Sequence, residues 1–310
     1  MNSIEVNNLT KKFGKFTSVD SISFEIKEGE VFGFLGANGA GKSTTIKMLC
    51  GILEPTSGDA SVGGFSIQKD SDKVKQNIGY MSQKFSLYGD LTVEENINFF
   101  ASIYGLGGGK LEERKKWVIK TAGLDNRKNS LTGTLSTGLK QRLALACAVM
   151  HEPKIVFLDE PTGGVDPISR KNFWDLINEL SQQGITVFVT THYLDEAEFC
   201  NRIMMIDSGK IIAGGSPAEL KKNFLTNYII ETEVSSPDGA MEIFDKLDFV
   251  KHTAYFGEYL HITLKDADEK LLPERLNLFK SLLREKNMSI SRIEKILPSL
   301  EDVFVNLLEK

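Results

Sequence analysis

Long apolar runs, clustered cysteines and an excess of positive charge are all missing from this 310-residue chain. No stretch approaches the roughly eighteen consecutive apolar residues of a helical membrane span, and the longest strongly apolar segment, 143–150, is far too short. The three cysteines, Cys50, Cys147 and Cys200, are odd in number and far apart. That spacing argues against a disulfide framework or a zinc site and suits small core residues in a reducing compartment. A formal net charge of −5 and a pI near 5.6 give no electrostatic footing for a nucleic-acid partner. The first residues, Met1-Asn2-Ser3-Ile4-Glu5-Val6, lack a basic region leading into an apolar core, so no signal peptide is read. The length allows one large domain and one small one, each with its own core.

What the chain does carry is Gly36-Ala37-Asn38-Gly39-Ala40-Gly41-Lys42-Ser43-Thr44, which fits the phosphate-cradling pattern G-x-x-x-x-G-K-[ST]. Residues 30–35 before it read as a buried strand and 44–50 after it as a helix, so the loop is a strand-to-helix turn. Gly36, Gly39 and Gly41 let backbone N–H groups turn inward around an anion, and the helix N-terminus adds its dipole. Lys42 is placed to reach the β- and γ-phosphates of a nucleotide. Ser43 is placed to put its hydroxyl on a magnesium ion bridging them.

Around this loop, residues 4–6 and 22–26 alternate as antiparallel edge strands do. Phe13, set in Lys11-Lys12-Phe13-Gly14-Lys15, either stacks on a flat group such as adenine or is buried under a loop, with Phe16 a weaker candidate. Residues 58–64 read as a turn-rich strand pair and 78–83 as a short strand. That strand ends on Gln83, which is either a magnesium or water ligand or a plain surface residue. From 91 to 127 the pattern is helical, with Thr92 capping a helix whose apolar face runs through Ile97, Phe100, Ala101 and Tyr104. A glycine turn at 105–109 precedes a charged helix at 111–122. Ser136 and Gly138, at the start of the helix that runs into 143–150, form either a second anion site or an ordinary capped helix.

Residues 154–160 are an apolar strand ending in two carboxylates. Such a strand places Asp159 and Glu160 at the carboxyl edge of a parallel sheet, where open α/β sheets bind ligands. Asp159 is expected to hold magnesium, and Glu160 to face the γ-phosphate and polarise the attacking water. The strand 185–192 ends on His192, placed to bond the γ-phosphate or orient Glu160. His151, His252 and His261 show no such neighbours and read as structural. A hairpin over 207–210 closes the domain. Beyond residue 216, strand, helix, two strands about Gly257, helix, strand and final helix follow the order of a small ferredoxin-like domain.

Order and spacing over about residues 3–215 resemble the nucleotide-binding subunit of ATP-binding-cassette (ABC) transporters. The elements that carry the likeness are the phosphate loop, Gln83, Leu135-Ser136-Thr137-Gly138-Leu139, residues 155–160, Gly164-Val165-Asp166-Pro167 and His192. Lys140-Gln141-Arg142, the 160–167 stretch and Pro298-Ser299-Leu300-Glu301-Asp302-Val303-Phe304 look like bacterial multidrug exporters of the daunorubicin-resistance type.

The resemblance implies an α/β P-loop NTPase fold with an antiparallel β subdomain. The cassette would span 1–215, with a helical subdomain at about 84–150, and an accessory α+β domain would span 216–310. It implies ATP and Mg²⁺ as cofactors, Phe13 stacking on adenine, Gln83 in the loop that senses the membrane partner, Glu160 as base and His192 as switch histidine. Two ATP molecules would sit in a head-to-tail twofold dimer, homomeric or heteromeric, each between one phosphate loop and the other subunit's Ser136 and Gly138. The dimer would drive export through a separate membrane permease from the cytoplasmic face.

Two residues depart from the family's Leu-Ser-Gly-Gly-Gln signature, Thr137 and Leu139, and a third departure is Ala37 where proline is common. Two other functions stay open at this stage. One is a soluble cassette ATPase serving translation, repair or assembly, and the other is a binding module that has lost catalysis.

Overall fold

The computed structural model describes residues 1–83, 87–223 and 227–308, so the expected start of the helical segment at 84 lies outside the described residues. The chain divides into two compact units, Met1–Pro217 and Ala218–Lys310.

The first unit opens on a hairpin much longer than the alternating runs in the sequence indicate. Strands β1 (Asn2–Phe13) and β2 (Phe16–Lys27) pair antiparallel and turn at Gly14 and Lys15, setting Phe13 opposite Phe16. Register shifts at four places along this pair break the period-two pattern, which hides its length from sequence. The fully buried β3 (Val31–Leu35) leads through the glycine-rich loop into α1 (Lys42–Leu49). Strands β4 (Ser57–Val62) and β5 (Phe65–Ser66) then join the hairpin in the order β2-β1-β4-β5.

After α2 (Ser71–Asn77) and β6 (Ile78–Met81) come three helices, α3 (Val93–Ile103), α4 (Gly108–Ala122) and α5 (Thr137–Ala148). They share a core of Val93, Ile97, Val118, Leu143 and Met150. Thr92 caps α3 in a reciprocal box with Glu95, satisfying two N–H groups that the helix start leaves free.

The chain continues through β7 (Ile155–Asp159), α6 (Pro167–Gln182), β8 (Thr186–Thr191), β9 (Arg202–Asp207) and β10 (Lys210–Gly215). The central sheet runs β10-β9-β3-β8-β7-β6, parallel at every pairing except β9 with β10. Strands β3, β7 and β8 are buried at every residue, as strands with apolar centres in a doubly covered sheet are. Aromatics join the antiparallel sheet to the central one. Phe24 of β2 stacks on Phe32 with centroids 5.6 Å apart, and Phe188 lies 5.5 Å from both Phe34 and Phe157. This packing brings the carboxyl ends of β3, β8 and β7 side by side.

The second unit takes up the chain within α7 (Pro217–Asn223). It holds β11 (Ile229–Val234), α8 (Pro237–Phe244), β12 (Val250–Phe256), β13 (Tyr259–Leu264), α9 (Leu272–Glu285), β14 (Ile290–Ile296) and α10 (Leu300–Leu308). Its antiparallel sheet has the order β12-β13-β11-β14. Helices α8 and α9 cover one face through Phe244 and Phe279, packed with Ile230, Leu260 and Ile262. His261 has partners that the sequence reading did not give it. It is buried with Nδ1 2.7 Å from Asp302 of α10 and Nε2 3.2 Å from Glu231 of β11. Among the described residues no helix is long and apolar enough to cross a membrane.

Candidate functional site

The loop between β3 and α1 closes tightly on itself. A Cβ at Gly36 would fall 2.3 Å from the Ile206 carbonyl oxygen, so the backbone there approaches β9 more closely than any side chain allows. Gly41, the residue before α1, has φ +110° and would set a Cβ 2.5 Å from the Ser18 carbonyl oxygen. Ala40, between them, is buried. Lys42 folds back so that its Nζ donates to the carbonyls of Gly36 at 2.8 Å and Ala37 at 3.1 Å. The same ammonium lies 3.1 Å from Oε1 of Glu160, with both side chains nearly buried.

Asp159 and Glu160 divide at the end of β7. Asp159 is buried and accepts from the Ser43 hydroxyl at 3.0 Å and the Thr190 hydroxyl at 2.7 Å, which ties the ends of β7 and β8 to the start of α1. Glu160 takes a left-handed φ of +48°, a strained conformation that its N–H stabilises by donating to both the Thr190 carbonyl and hydroxyl. The backbone turn throws the Glu160 side chain away from Asp159. Its Oε2 accepts from Gln83 Nε2 at 3.0 Å and faces His192 Nδ1 at 3.2 Å. Burial, reinforced by the Asp159 charge, pushes the Tyr80 phenol up. The Cys50 thiol is raised for the same two reasons, so both side chains stay neutral beside the carboxylate.

The cavity in front of this cluster holds about 490 Å³ and is lined by Phe13, Phe16, Ser18, Asn38, Gly39, Gly41, Lys42, Ser43, Thr44, Gln83 and Glu160. Phe13 and Phe16 form the hairpin tip at its edge, half or more exposed, and Lys11 Nζ sits 5.3 Å from the Phe13 ring. The Ser18 hydroxyl donates to Thr44 Oγ1 at 3.0 Å, fixing the hairpin to α1. Most of the residues singled out in the sequence therefore meet here.

Ser136 and Gly138 are not among the residues that line this cavity. Ser136 is exposed at the N-terminus of α5, where its hydroxyl accepts from the Leu139 N–H at 3.5 Å. Gly138 is packed on its own chain instead, since a Cβ there would lie 2.5 Å from Ser169 Cβ of α6. Thr190 and Ser18 were not picked out from the sequence. The run Thr190-Thr191-His192, polar at the end of an apolar strand, is the signal that points to the first of them.

A strand, a glycine loop and a helix with Lys42 and Ser43 at its start, facing Asp159 at the end of a parallel strand of the same sheet one strand removed, define a P-loop nucleotide-binding protein. The sequence profile described as ABC transporter matches residues 19–163. The linearmycin resistance ATP-binding protein LnrL of Bacillus subtilis is 37% identical over 311 residues, covering 98% of this chain and 97% of its own length. The probable multidrug ABC transporter ATP-binding protein YbhF of Escherichia coli is 54% identical over 218 residues, or 70% of this chain. That match spans only 38% of YbhF's length. Among solved structures, a dimeric ATP-binding cassette in a post-hydrolysis state with ADP and Pi aligns at TM-score 0.62 and 28% identity, over 69% of this chain and 98% of that one. The chain belongs to the ATP-binding proteins of the ABC transporter family.

Proposed function

We propose that this chain hydrolyses ATP as the cytoplasmic subunit of an exporter, acting as a dimer of cassettes on a separate membrane permease. The observation that carries the proposal is the meeting of Lys42, Ser43, Asp159 and Glu160 at one cavity with an aromatic edge. The Lys42 ammonium is held by three oxygens, two carbonyls and a carboxylate, which are the partners that phosphate oxygens replace. In this reading the loop N–H groups and Lys42 bind the β- and γ-phosphates, Asn38 and Thr44 flank them, and Phe13 stacks on the adenine. Displacing Lys42 from Glu160 frees that carboxylate to accept the proton of the attacking water, with His192 and Gln83 holding its other oxygen.

The donor set fits magnesium. Ser43 and Asp159 present hard oxygens 3.0 Å apart, with the Gln83 carbonyl oxygen as a further donor at the same cavity. When bound, the ion neutralises charge on the phosphate oxygens. Ser136 and Gly138 lie away from the cavity of their own chain, which fits their completing the site of a second subunit. The dimeric post-hydrolysis cassette among the solved structures supports that arrangement.

Transport is supported by the name of YbhF, and export by the Nod factor export ATP-binding protein I of Burkholderia lata, 35% identical over 305 residues, or 98% of this chain and 96% of its own length. We take 1–215 as the cassette, with its helical subdomain at about 84–150, and 216–310 as a ferredoxin-like accessory domain. The strand order β12-β13-β11-β14 with α8 and α9 on one face supports that last assignment.

The test is magnesium-dependent phosphate release, compared with Lys42→Ala, together with co-purification of a multi-span subunit from detergent-solubilised membranes. Turnover equal to that of Lys42→Ala refutes hydrolysis. Recovery only in complexes without a membrane protein refutes transport.

A further inference from the structure

Glu196, a buried carboxylate outside the phosphate cavity, touches each of the three segments that position the proposed hydrolytic groups. It opens a short 3₁₀ turn (Glu196–Phe199) after β8 and has no exposed surface. Its Oε1 accepts the Thr162 hydroxyl and lies 3.4 Å from Nε of Arg170, and its Oε2 accepts the Thr191 hydroxyl at 2.8 Å. Thr162 stands two residues after Glu160, and Thr191 immediately before His192. Arg170 is in the first turn of α6, the helix capped by Asp166.

Each anchor is tied onward. The Thr191 hydroxyl oxygen accepts the Tyr193 N–H at 2.9 Å, which shapes the turn that carries His192. Arg170 lies 4.6 Å over the Tyr193 ring and reaches the Val165 carbonyl with Nη2 at 3.5 Å. The Tyr193 ring in turn lies 4.1 Å from that of His192.

A carboxylate has two acceptor oxygens and no donor, so it can accept two threonine hydroxyls while facing a guanidinium. Burial works against the charge and pushes the Glu196 carboxyl up, while the two hydroxyls and Arg170 oppose that shift. An apolar side chain would fill the same space without that desolvation penalty.

We propose that Glu196 is a positioning residue for hydrolysis, holding the loop of Glu160, the turn of His192 and the start of α6 in one register. The proposal rests on the ATPase reading above. Besides Glu160, Lys42 bonds the Gly36 and Ala37 carbonyls, and Ser43 bonds Asp159 of β7, so loosening this hub leaves nucleotide binding in place. What drifts is the alignment of Glu160 and His192 with the γ-phosphate, and a displacement of about 1 Å costs on the order of 100-fold in rate.

The experiment measures ATP affinity by equilibrium binding, and kcat per nucleotide-binding site, for wild type, Glu196→Gln, Glu196→Ala and Thr162→Val. Lys42→Ala serves as the blank. Glutamine keeps the shape but exchanges one acceptor for a donor and removes one of the two carboxylate charges facing Arg170, leaving that of Asp195. The expected result is a kcat lower by about 10-fold for Gln and about 100-fold for Ala, with Kd within about threefold of wild type. Thr162→Val added to Glu196→Ala should lower kcat no further, because both remove the same linkage.

Glu196→Gln and Thr162→Val with kcat per site within about twofold of wild type would overturn the proposal, as would losses of kcat matched by equal losses of affinity. Should Glu196→Ala fail to fold, the Gln and Val variants decide the matter. Wild-type turnover no greater than the Lys42→Ala blank would instead refute the ATPase reading itself.

Discussion

Replacing Gly138 by alanine separates what this glycine does for its own chain from the role proposed for it at a partner's nucleotide. A Cβ at 138 would lie 2.5 Å from Ser169 Cβ and 2.6 Å from Ser169 Oγ, whereas ordinary contacts begin at 3.4 Å. The Ser169 Cβ moves only with the backbone, so α5 and α6 must separate by about 0.9 Å at this point. Overpacking of this kind costs about 1–3 kcal/mol. Alanine in place of glycine returns about 1 kcal/mol of helix propensity, which leaves a net loss of about 0–2 kcal/mol. Chemical denaturation of Gly138→Ala, Ser169→Gly and the double variant measures the coupling directly. The pair should be less destabilised than the sum of the singles by about 1 kcal/mol, since Ser169→Gly removes the clash. Additive losses would refute the steric account. Hydrolysis adds a second readout: if a partner's nucleotide also needs Gly138, turnover falls in the single and stays low in the relieved double variant.

Phe13→Ala should weaken ATP binding by about 1–3 kcal/mol, the usual range for losing one aromatic stack. Fluorescent-nucleotide titration checks this, and unchanged affinity would move the adenine elsewhere, with Phe16 the next candidate. His261 gives the second unit a pH dependence of defined sign. Burial lowers its pKa, but Asp302 of α10 and Glu231 of β11 outweigh burial and raise it above 6.5. The folded state thus favours the protonated ring. The stability it contributes is complete below pH 6.5 and is lost as pH rises through the raised folded value. The melting temperature of wild type should therefore fall more than that of His261→Gln as the pH is raised from 6.5 through the folded value, and equal slopes would contradict the assignment.

The parts of the site that were legible in the sequence are those whose chemistry is contiguous. The phosphate loop and the Asp159-Glu160 pair each sit at the end of an apolar strand, and the rule that parallel sheets bind ligands at their carboxyl edge brings them together. Ser43 and Asp159, 116 residues apart in sequence, meet at 3.0 Å for that reason. The illegible parts depend on contacts that no local pattern encodes. Glu196 finds Thr162 34 residues away, and His261 finds Glu231 and Asp302 at separations of 30 and 41 residues. The length of β1 and β2 was hidden by register shifts, and the packing of Gly138 by the distance along the chain to α6. Gln83 was ambiguous in sequence because a glutamine at a strand end has no fixed partner; in the structure its side chain lines the cavity and donates to Glu160.

In the proposed mechanism Glu160 drives hydrolysis in a site closed by a second copy of the chain or a related cassette. Turnover and oligomeric state of Glu160→Gln with magnesium and ATP test it most directly, read by phosphate release and by light scattering on the same sample. Turnover should fall by about 100-fold or more, with an ATP-dependent dimer accumulating where wild type cycles. Wild-type turnover in the variant, or turnover lost with no dimer at any ATP concentration, would contradict it.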